Sequence, residues 1–388
     1  MNVIYISPNF PSNYYQFSLA LRNLGVNVLG IGDDPYEYLS NDLKYALTEY
    51  YKVDCLESYD ELLKAVAFFT YKYGKIDRIC SHNEYWLEKE AMLRTDFNVV
   101  GIKTDQIENI KKKSLMKAKF SEAGVDVAQG EIVDNIKEAK SFIKKTGYPV
   151  VVKPDNGVGA SSTKRLNDED DLEAFFSQRL DTSYIMEEYI EGDLYSFDGL
   201  IDRDGRAVFY TSHFFSTGIM ESVTLGHSLF YYSLRDIPKD LEQAGLNTLK
   251  AFGAKETFFH IEYFRSKKDK KLIGLEVNMR PPGGLTTDMF NYANDINIYQ
   301  EWANVVVNNK FDSDYKRKYH CCYIGRKNFI SYKHSRQEII EKYGRFIVNE
   351  SFIPDILSAA IGNYAFLVRS EELKKVVDIA NFVLAPSE

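Results

Sequence analysis

The sequence predicts a mixed fold, α/β and α+β, with a Rossmann-like parallel α/β domain, then a region rich in antiparallel strands and a small C-terminal α/β piece. Residues 1–100 alternate between strand-like and helix-like segments, which is typical of a parallel sheet wrapped by helices. Residues 184–232 and 256–280 instead read as antiparallel strands joined by polar turns. The chain has 388 residues, 45% of them hydrophobic, which is enough for two to three domains with real cores.

The N-terminal region predicts a βαβ rhythm. In chain order its elements are a strand at 3–6, a helix at 13–24, a strand at 26–31, a helix at 60–71 and a strand at 76–80. Ligands gather at the carboxyl ends of strands in such sheets, and the loops 7–10 and 81–84 leave two of these ends. The first βα turn lacks the Gly-x-Gly-x-x-Gly pattern, so a dinucleotide site has no main sequence support.

The remaining elements have a different character. They are a lysine-rich helix at 105–123 ending at Gly124, a helix at 137–145, a buried strand at 150–154, helices at 168–177 and 237–252, and a last α/β piece from residue 311. The character of the chain therefore changes near residue 105, and a last small piece begins at about residue 311.

Composition excludes several classes of protein. The net charge of −8 argues against a general affinity for nucleic acid or for anionic membranes. The N-terminus lacks the features of a signal peptide, and no apolar run approaches the ~18 residues of a membrane span. The spacing of the four cysteines fits neither a zinc site nor a disulfide framework, so we expect reduced, buried thiols in a cytoplasmic protein.

The strongest chemical signal lies in residues 275–284. Alternation along a strand places Glu276, Asn278 and Arg280 on one face, and a hairpin through Lys270 and Lys271 would bring Glu262 beside Glu276. Carboxylate and amide oxygens suit Mg²⁺, which leaves its other positions to water and phosphate, and a nearby arginine stabilises charge on a transferring phosphoryl group. An ordinary exposed strand face is the alternative interpretation.

A second signal predicts contacts to phosphate. Lys153 ends the buried strand, so its stem is fixed and its ammonium points into a cleft. The loop behind it offers glycines and hydroxyls whose backbone N–H groups can lie against phosphate oxygens, although a tight surface turn remains the alternative. Its candidate contacts are Gly157, Gly159, Ser161 and Ser162. Lys113 is a further cationic candidate in a run that is otherwise typical of a solvated helix face.

A third segment, residues 184–192, is extended and acidic. Its backbone could read the edge of an adenine, and Glu187 or Glu191 could reach an amino group or a ribose hydroxyl. By itself this pattern is weak, because acidic strand ends are common.

In this order, these segments resemble the ATP-grasp superfamily of carboxylate–amine ligases, particularly amino-acid and dipeptide ligases, carnosine-synthase-like proteins and the carbamoyl phosphate synthase large chain. The resemblance covers residues 105–310 and rests on five motifs, at 113–116, 151–163, 186–192, 259–264 and 275–284. It implies an N-terminal α/β domain at 1–104 and a two-lobed ATP-grasp fold, with a small lobe at 105–187, a large lobe at 188–310 and a C-terminal subdomain at 311–388. It also implies an ATP-dependent ligase that forms an acyl phosphate and passes it to an amine. An amino acid is the expected substrate.

The resemblance also implies roles for individual residues. Lys113 and Lys153 would contact the ATP phosphates, and Arg280 would bind the acyl phosphate or a carboxylate. The adenine would lie along Glu187, Glu188 and Ile190. Two Mg²⁺ ions, with Mn²⁺ as a substitute, would be held by Glu262, Glu276 and Asn278. Leu194 stands where relatives carry a glutamate, which leaves the ribose contact open.

Several alternatives stay open at this point. The chain could be a catalytically silent ATP-binding module or a small-molecule kinase, and a homodimer is compatible with the family. The roles of three residues are undecided: His82 and Glu84 face the cleft or are ordinary loop residues, and His227 lines the acceptor side or is structural. Phe214, Phe215, Tyr231 and Tyr232 form either an apolar side-chain pocket or core.

Overall fold

The structure is a computed structural model that describes residues 1–157, 162–178 and 182–387. Its first region is a parallel sheet covered by helices, as predicted. The elements are β1 (Asn2–Ile6), α1 (Tyr15–Asn23), β2 (Asn27–Gly32), α2 (Asn41–Ala46), β3 (Glu49–Lys52), α3 (Tyr59–Tyr73), β4 (Arg78–Cys80) and α4 (Leu87–Asp96). The strand order is β3-β2-β1-β4, and every pairing between these strands is parallel.

The predicted single helix at 105–123 is wrong, because the structure divides it into α5 (Thr104–Lys111) and α6 (Lys113–Glu122). The backbone of Lys112 is extended between them, with φ −88° and ψ 116°. The break is stabilised by residues far along the chain: the Lys113 N–H donates to the Asp155 carbonyl at 3.0 Å, and the Ser114 N–H donates to the Asp155 carboxylate at 2.8 Å.

A small antiparallel sheet follows. Its region contains β5 (Asp126–Val127), β6 (Gly130–Val133), α7 (Ile136–Thr146), β7 (Val150–Pro154), β8 (Lys164–Leu166), α8 (Glu169–Phe176) and β9 (Tyr184–Glu188). The strand order is β6-β9-β7-β8, whereas β5 joins the large sheet. Apolar side chains of α7 and α8, including Phe142 and Phe175, bury one face of this sheet.

The large sheet dominates the rest of the chain. Its elements are β10 (Gly192–Ile201), β11 (Ala207–Phe215), α9 (Ile219–Thr224), β12 (Leu229–Ser233), α10 (Lys239–Phe252), β13 (Thr257–Ser266), β14 (Leu272–Asn278), α11 (Thr286–Asn294), α12 (Ile298–Asn308), β15 (His320–Arg326), α13 (Arg336–Tyr343), β16 (Ile347–Phe352), α14 (Asp355–Ile361), β17 (Tyr364–Ser370) and α15 (Leu373–Val383). The strand order is β16-β17-β15-β12-β11-β10-β13-β14-β5.

The C-terminal strands therefore continue the large sheet, because β15 pairs with β12. The N-terminal region also packs against this body, since Phe17 of α1 contacts Phe258 and Trp302 within one buried cluster. The domain boundaries at 104/105, 187/188 and 310/311 stay predictions.

Membrane spans and the state of the cysteines are two further features that the structure describes. Within the described residues, no helix is long and apolar enough to cross a membrane. The cysteines are free thiols; Cys80, Cys321 and Cys322 are buried, but Cys55 is exposed, contrary to the expectation that all would be buried. Cys55 lies in the loop between β3 and α3, outside the hydrophobic clusters.

Candidate functional site

A cavity of about 490 Å³ lies between the small sheet and the large sheet. Most of the predicted site residues line it, namely Lys113, Lys153, Glu187, Glu188, Ile190, Glu262, Glu276, Asn278 and Arg280. Gly157 and Ser162 are described but are not part of this lining, whereas Gly159 and Ser161 fall outside the described residues. Residues from four separate regions of the chain thus meet in one place.

The hairpin of β13 and β14 places two carboxylates side by side. Glu262 lies directly opposite Glu276 in the register, and Asn278 lies opposite His260. Burial raises the pKa of Glu276, and the negative charges of Glu84 and Glu262 raise it further. A bound cation would relieve this unfavourable environment.

The donor set of this hairpin fits a hard cation. Two carboxylates and an amide oxygen match the preference of Mg²⁺ for oxygen ligands, with the remaining positions left to water and phosphate. Within the described part of the chain, no group of three or more His, Cys, Asp or Glu side chains forms a metal cage.

Of the three consecutive lysines, Lys113 is the one that lines the cavity. Its ammonium lies 3.7 Å from a carboxylate oxygen of Glu276 and donates to the Gly157 carbonyl at 3.3 Å. Lys112 points away and pairs with Glu108, and the ammonium of Lys111 lies 3.8 Å from Glu84. The extended backbone of Lys112 thus begins α6 at Lys113, whose buried ammonium points toward Glu276.

On the facing wall, Glu187 lies between two ammonium groups. Its carboxylate oxygens lie 2.7 Å from Lys153 Nζ and 2.6 Å from Lys117 Nζ. Burial opposes the charge of Glu187, but the two lysines outweigh burial and hold the pKa of this carboxyl below its ordinary value. Lys117 is a site residue that the sequence analysis missed; its four-residue spacing from Lys113 was the available signal.

The segment expected to hold adenine borders the same cavity. The Glu188 N–H already donates to the Gln129 carbonyl at 2.9 Å, and the Glu188 carboxylate accepts from the Gln129 N–H at 2.8 Å. The Ile190 N–H has no backbone acceptor among the described residues. Leu194 is buried in the cavity wall, so it offers a ribose only an apolar surface.

An ion pair between Arg280, which follows β14, and Glu84, which lies between β4 and α4, joins the large sheet to the N-terminal region. A guanidinium nitrogen of Arg280 donates to the Glu84 carboxylate at 2.5 Å, and Arg280 Nε is buried without a partner among the described residues. Burial opposes the charge of Glu84, yet Arg280 and Lys111 hold its pKa below the ordinary value. Glu84 therefore belongs to the cavity and is not an ordinary loop residue.

Behind Glu262 lies a buried network that the sequence analysis missed. The Asp198 carboxylate contacts the Nδ1 atoms of both His213 and His260, while His260 Nε2 lies 3.3 Å from Glu262. Burial opposes the charge of His260, but Asp198 raises its pKa to about 10. The signal in the sequence was the position of His260, two residues before Glu262 and hence on the same face of the strand.

The two other histidines of uncertain role lie elsewhere. His82 is buried among aromatic rings, including Phe17 and Trp302, and burial lowers its pKa to about 3. His227 is exposed and does not line the cavity. Phe214, Phe215 and Tyr231 do line it, whereas Tyr232 does not.

Part of the chain is similar in sequence to known proteins. Residues 146–288 match the family model described as "ATP-grasp domain". The L-arginine-specific L-amino acid ligase of Bacillus subtilis is 23% identical over 255 residues, which cover 63% of this chain and 61% of the relative. The matched region thus spans about three fifths of that relative's length.

Solved structures show the fold. The L-amino acid ligase from Bacillus licheniformis superposes with a TM-score of 0.77 at 15% identity, covering 98% of this chain and 96% of that one. The biotin carboxylase domain of 2-oxoglutarate carboxylase from Hydrogenobacter thermophilus, solved with MgADP and bicarbonate, gives a TM-score of 0.73 at 16% identity, covering 98% and 89%. The predicted fold class, α/β and α+β with an ATP-grasp body, is confirmed.

Proposed function

This chain is an ATP-grasp protein related to amino-acid ligases, and on that premise we propose that it joins a carboxylate to an amine with ATP and Mg²⁺. An amino acid is the proposed substrate on at least one side. The proposal rests chiefly on one observation: Glu262 and Glu276 lie opposite each other on one wall, and the ammonium groups of Lys113 and Lys153 enter the same cavity.

The chemistry that such a site must perform is activation of a carboxylate. A carboxylate is a poor electrophile, because its charge repels an amine and its oxide is a poor leaving group. Transfer of the γ-phosphoryl group of ATP forms an acyl phosphate; the amine then attacks the carbonyl carbon, and inorganic phosphate leaves with the C–O bond electrons. In phosphoryl transfer the protein mainly positions the groups and offsets charge.

The residues of the cavity divide this work. Glu262, Glu276 and Asn278 would hold Mg²⁺, two ions in our proposal with Mn²⁺ as a substitute, and the metal supplies charge stabilisation on the phosphates. Lys113 and Lys153 offset the negative charge that develops during transfer. Arg280, whose Nε lacks a partner in the described structure, would donate to an oxygen of the carboxylate or acyl phosphate.

The nucleotide would enter through the opposite part of the cavity. We propose that the backbone of Glu188 and Ile190 borders the adenine, that Glu187 acts by holding Lys153, and that the glycine- and serine-containing loop with Gly157, Gly159, Ser161 and Ser162 covers the phosphates. We also propose small-molecule substrates and a homodimer, in keeping with the family.

The test is release of phosphate from ATP and Mg²⁺ with single amino acids and with pairs, followed by mass spectrometry of the products. Phosphate that appears only with a pair, together with a condensed product, supports the ligase. A phosphorylated single substrate would favour a small-molecule kinase. ATP binding without turnover for any carboxylate and amine would favour a silent ATP-binding module.

Two matched variants connect the signal to this cavity. Glu276→Ala removes a proposed metal ligand and should reduce phosphate release to the background, while the fold, checked by circular dichroism, stays intact. Glu341→Ala removes an exposed carboxylate on α13 and should retain full activity. Full activity in Glu276→Ala would refute the assigned site.

A further inference from the structure

One end of the cavity is lined by uncharged residues, as far as the described side chains go. Its lining there comes from residues 214–220, from the loop 282–284 with Thr286, and from α14. The described charged side chains of the cavity, among them Lys113, Glu276 and Arg280, belong to other segments. The cavity therefore has a polar part for charged groups and a separate apolar part.

The apolar end is built on a stack of aromatic rings. Phe215 stacks on Tyr231 with ring centroids 4.9 Å apart, and Tyr231 stacks on Tyr323 at the same distance. The Tyr231 hydroxyl forms a hydrogen bond with Thr286 Oγ1 at 2.8 Å. Because this polar atom is already satisfied, Tyr231 presents an apolar ring to the cavity.

The second wall of this end is α14. Leu357 and Ile361 are one helical turn apart, so they face the same direction, and both are partly exposed where they line the cavity. The loop that follows Arg280 packs directly on this wall: a Cβ atom at Gly284, whose φ is +64°, would lie 2.9 Å from Ile361 Cδ1. Arg280 thus lies four residues before Gly284, the residue that packs against the apolar wall.

A buried lysine stabilises the wall. The Lys327 ammonium donates to the carbonyls of Ser222 in α9 and Ala359 in α14, at 2.6 and 2.8 Å. The Ser222 hydroxyl also donates to the Ala360 carbonyl at 2.6 Å. Positive charge at the last carbonyls of two short helices is favourable, and the two helices are held together beside the cavity.

We propose that an amino acid binds with its carboxylate at Arg280 and an aliphatic or aromatic side chain in the apolar end formed by Phe215, Tyr231, Leu357 and Ile361. This inference rests on the proposed function and adds a substrate class to it. A side chain with an amide or a charge would lose its hydrogen bonds to water there. The hydroxyls of Ser216 and Thr286 at this end already have partners within the chain, so they replace few of these bonds, which disfavours polar amino acids. Leucine and phenylalanine fit this chemistry, whereas asparagine and arginine do not.

Calorimetric titration of the full chain, saturated with MgADP, tests this preference with leucine, phenylalanine, asparagine and arginine. Leucine has nearly the shape of asparagine, so the pair isolates polarity from size. We expect leucine and phenylalanine to bind at least roughly tenfold tighter than asparagine and arginine. Equal or tighter binding of asparagine or arginine, or no binding of any of the four, would overturn the inference.

Two neighbouring residues on α14 supply matched variants. Leu357→Asp places a carboxylate in the apolar end and should shift the preference from leucine toward arginine, again by roughly tenfold or more. Ile356→Asp makes the same change at a position that is 79% exposed and outside the cavity lining, and should leave the preference unaltered. Equal effects of the two variants would refute the assigned pocket.

A milder variant guards against loss of the fold. Leu357→Ala only enlarges the apolar end, so phenylalanine should gain on leucine; an unchanged ratio would contradict the proposal. The binding assay is also independent of catalysis. A preference for apolar amino acids without phosphate release from any pair would refute the ligase and leave this inference standing. Condensed products made preferentially from asparagine or arginine would support the ligase and refute this inference.

Discussion

Replacement of Glu187 by glutamine isolates the role of the buried charge cluster. The substitution keeps the size of the side chain but leaves the ammonium groups of Lys153 and Lys117 without their shared carboxylate. The side chains of Glu187 and Lys153 are each 7% exposed, and that of Lys117 is 16% exposed, so water cannot replace the lost partner easily. Removing one member of such a buried cluster costs about 3–5 kcal/mol.

The loss should be local to the small sheet, where Glu187 lies in β9 and Lys153 in β7. Amide hydrogen exchange followed by mass spectrometry reports the free energy of local opening for each segment. Exchange in β7 and β9 should become about 100- to 4,000-fold faster, since each 1.4 kcal/mol corresponds to a factor of ten. Exchange in β1 and β2, in the N-terminal sheet, should stay unchanged.

Glu108→Gln is the matched control. Glu108 pairs with Lys112 at 2.8 Å, a similar separation, but both side chains are more than one third exposed. We expect little change in exchange for this variant, because exposed pairs contribute little to stability. Adding Lys117→Met to Glu187→Gln should recover part of the loss by removing one buried charge. Exchange in β7 and β9 within threefold of the wild-type chain would refute the reasoning.

Three further predictions follow from the structure. Asp198→Asn weakens the support of His260 behind Glu262, so the Mg²⁺ concentration for half-maximal phosphate release should rise about 10- to 100-fold; an unchanged requirement would contradict this role. Glu84→Gln removes the carboxylate that positions the Arg280 guanidinium. Because a misplaced guanidinium holds the substrate less well, kcat/KM for the carboxylate substrate should fall by about 10- to 100-fold at saturating ATP, measured by phosphate release. His82 has a pKa of about 3 in the folded chain against ~6.5 when unfolded, so its contribution to stability is complete above pH 6.5 and is lost as the pH falls. About 2.3 kcal/mol should disappear between pH 6.5 and pH 4.5 in urea denaturation of the wild-type chain but not of His82→Asn, and equal pH dependence in the two would argue against it.

Much of the fold could be predicted from the sequence, because local spacing reports local structure. The strands β1, β2 and β4 and the helices α1 and α3 follow from apolar runs and periodic apolar faces, and their predicted ends differ by only a few residues. The hairpin that places Glu262 opposite Glu276 followed from alternation and a short polar turn. Lys153 was likewise visible as a lysine at the end of a predicted strand, whereas Lys113 lay inside the predicted helix at 105–123 and was singled out by the resemblance.

Other features depended on partners that are distant in the sequence. The break at Lys112 is set by Asp155, and alone the lysine-rich run has an unbroken helical pattern. Glu84 pairs across the cavity with Arg280, 196 residues further along the chain. Such contacts leave no local pattern, since neither member of the pair needs to change its own periodicity.

The sequence by itself thus determined which chemical groups the cavity can offer: two carboxylates and an amide on one strand hairpin, together with lysines and an arginine. The tertiary structure alone decided the surroundings of these groups, such as the charge cluster at Glu187, the histidine network behind Glu262 and the apolar end beside Arg280. The reason is physical: residue type and spacing define what a side chain can do, but burial and neighbouring charge arise only when remote segments pack together.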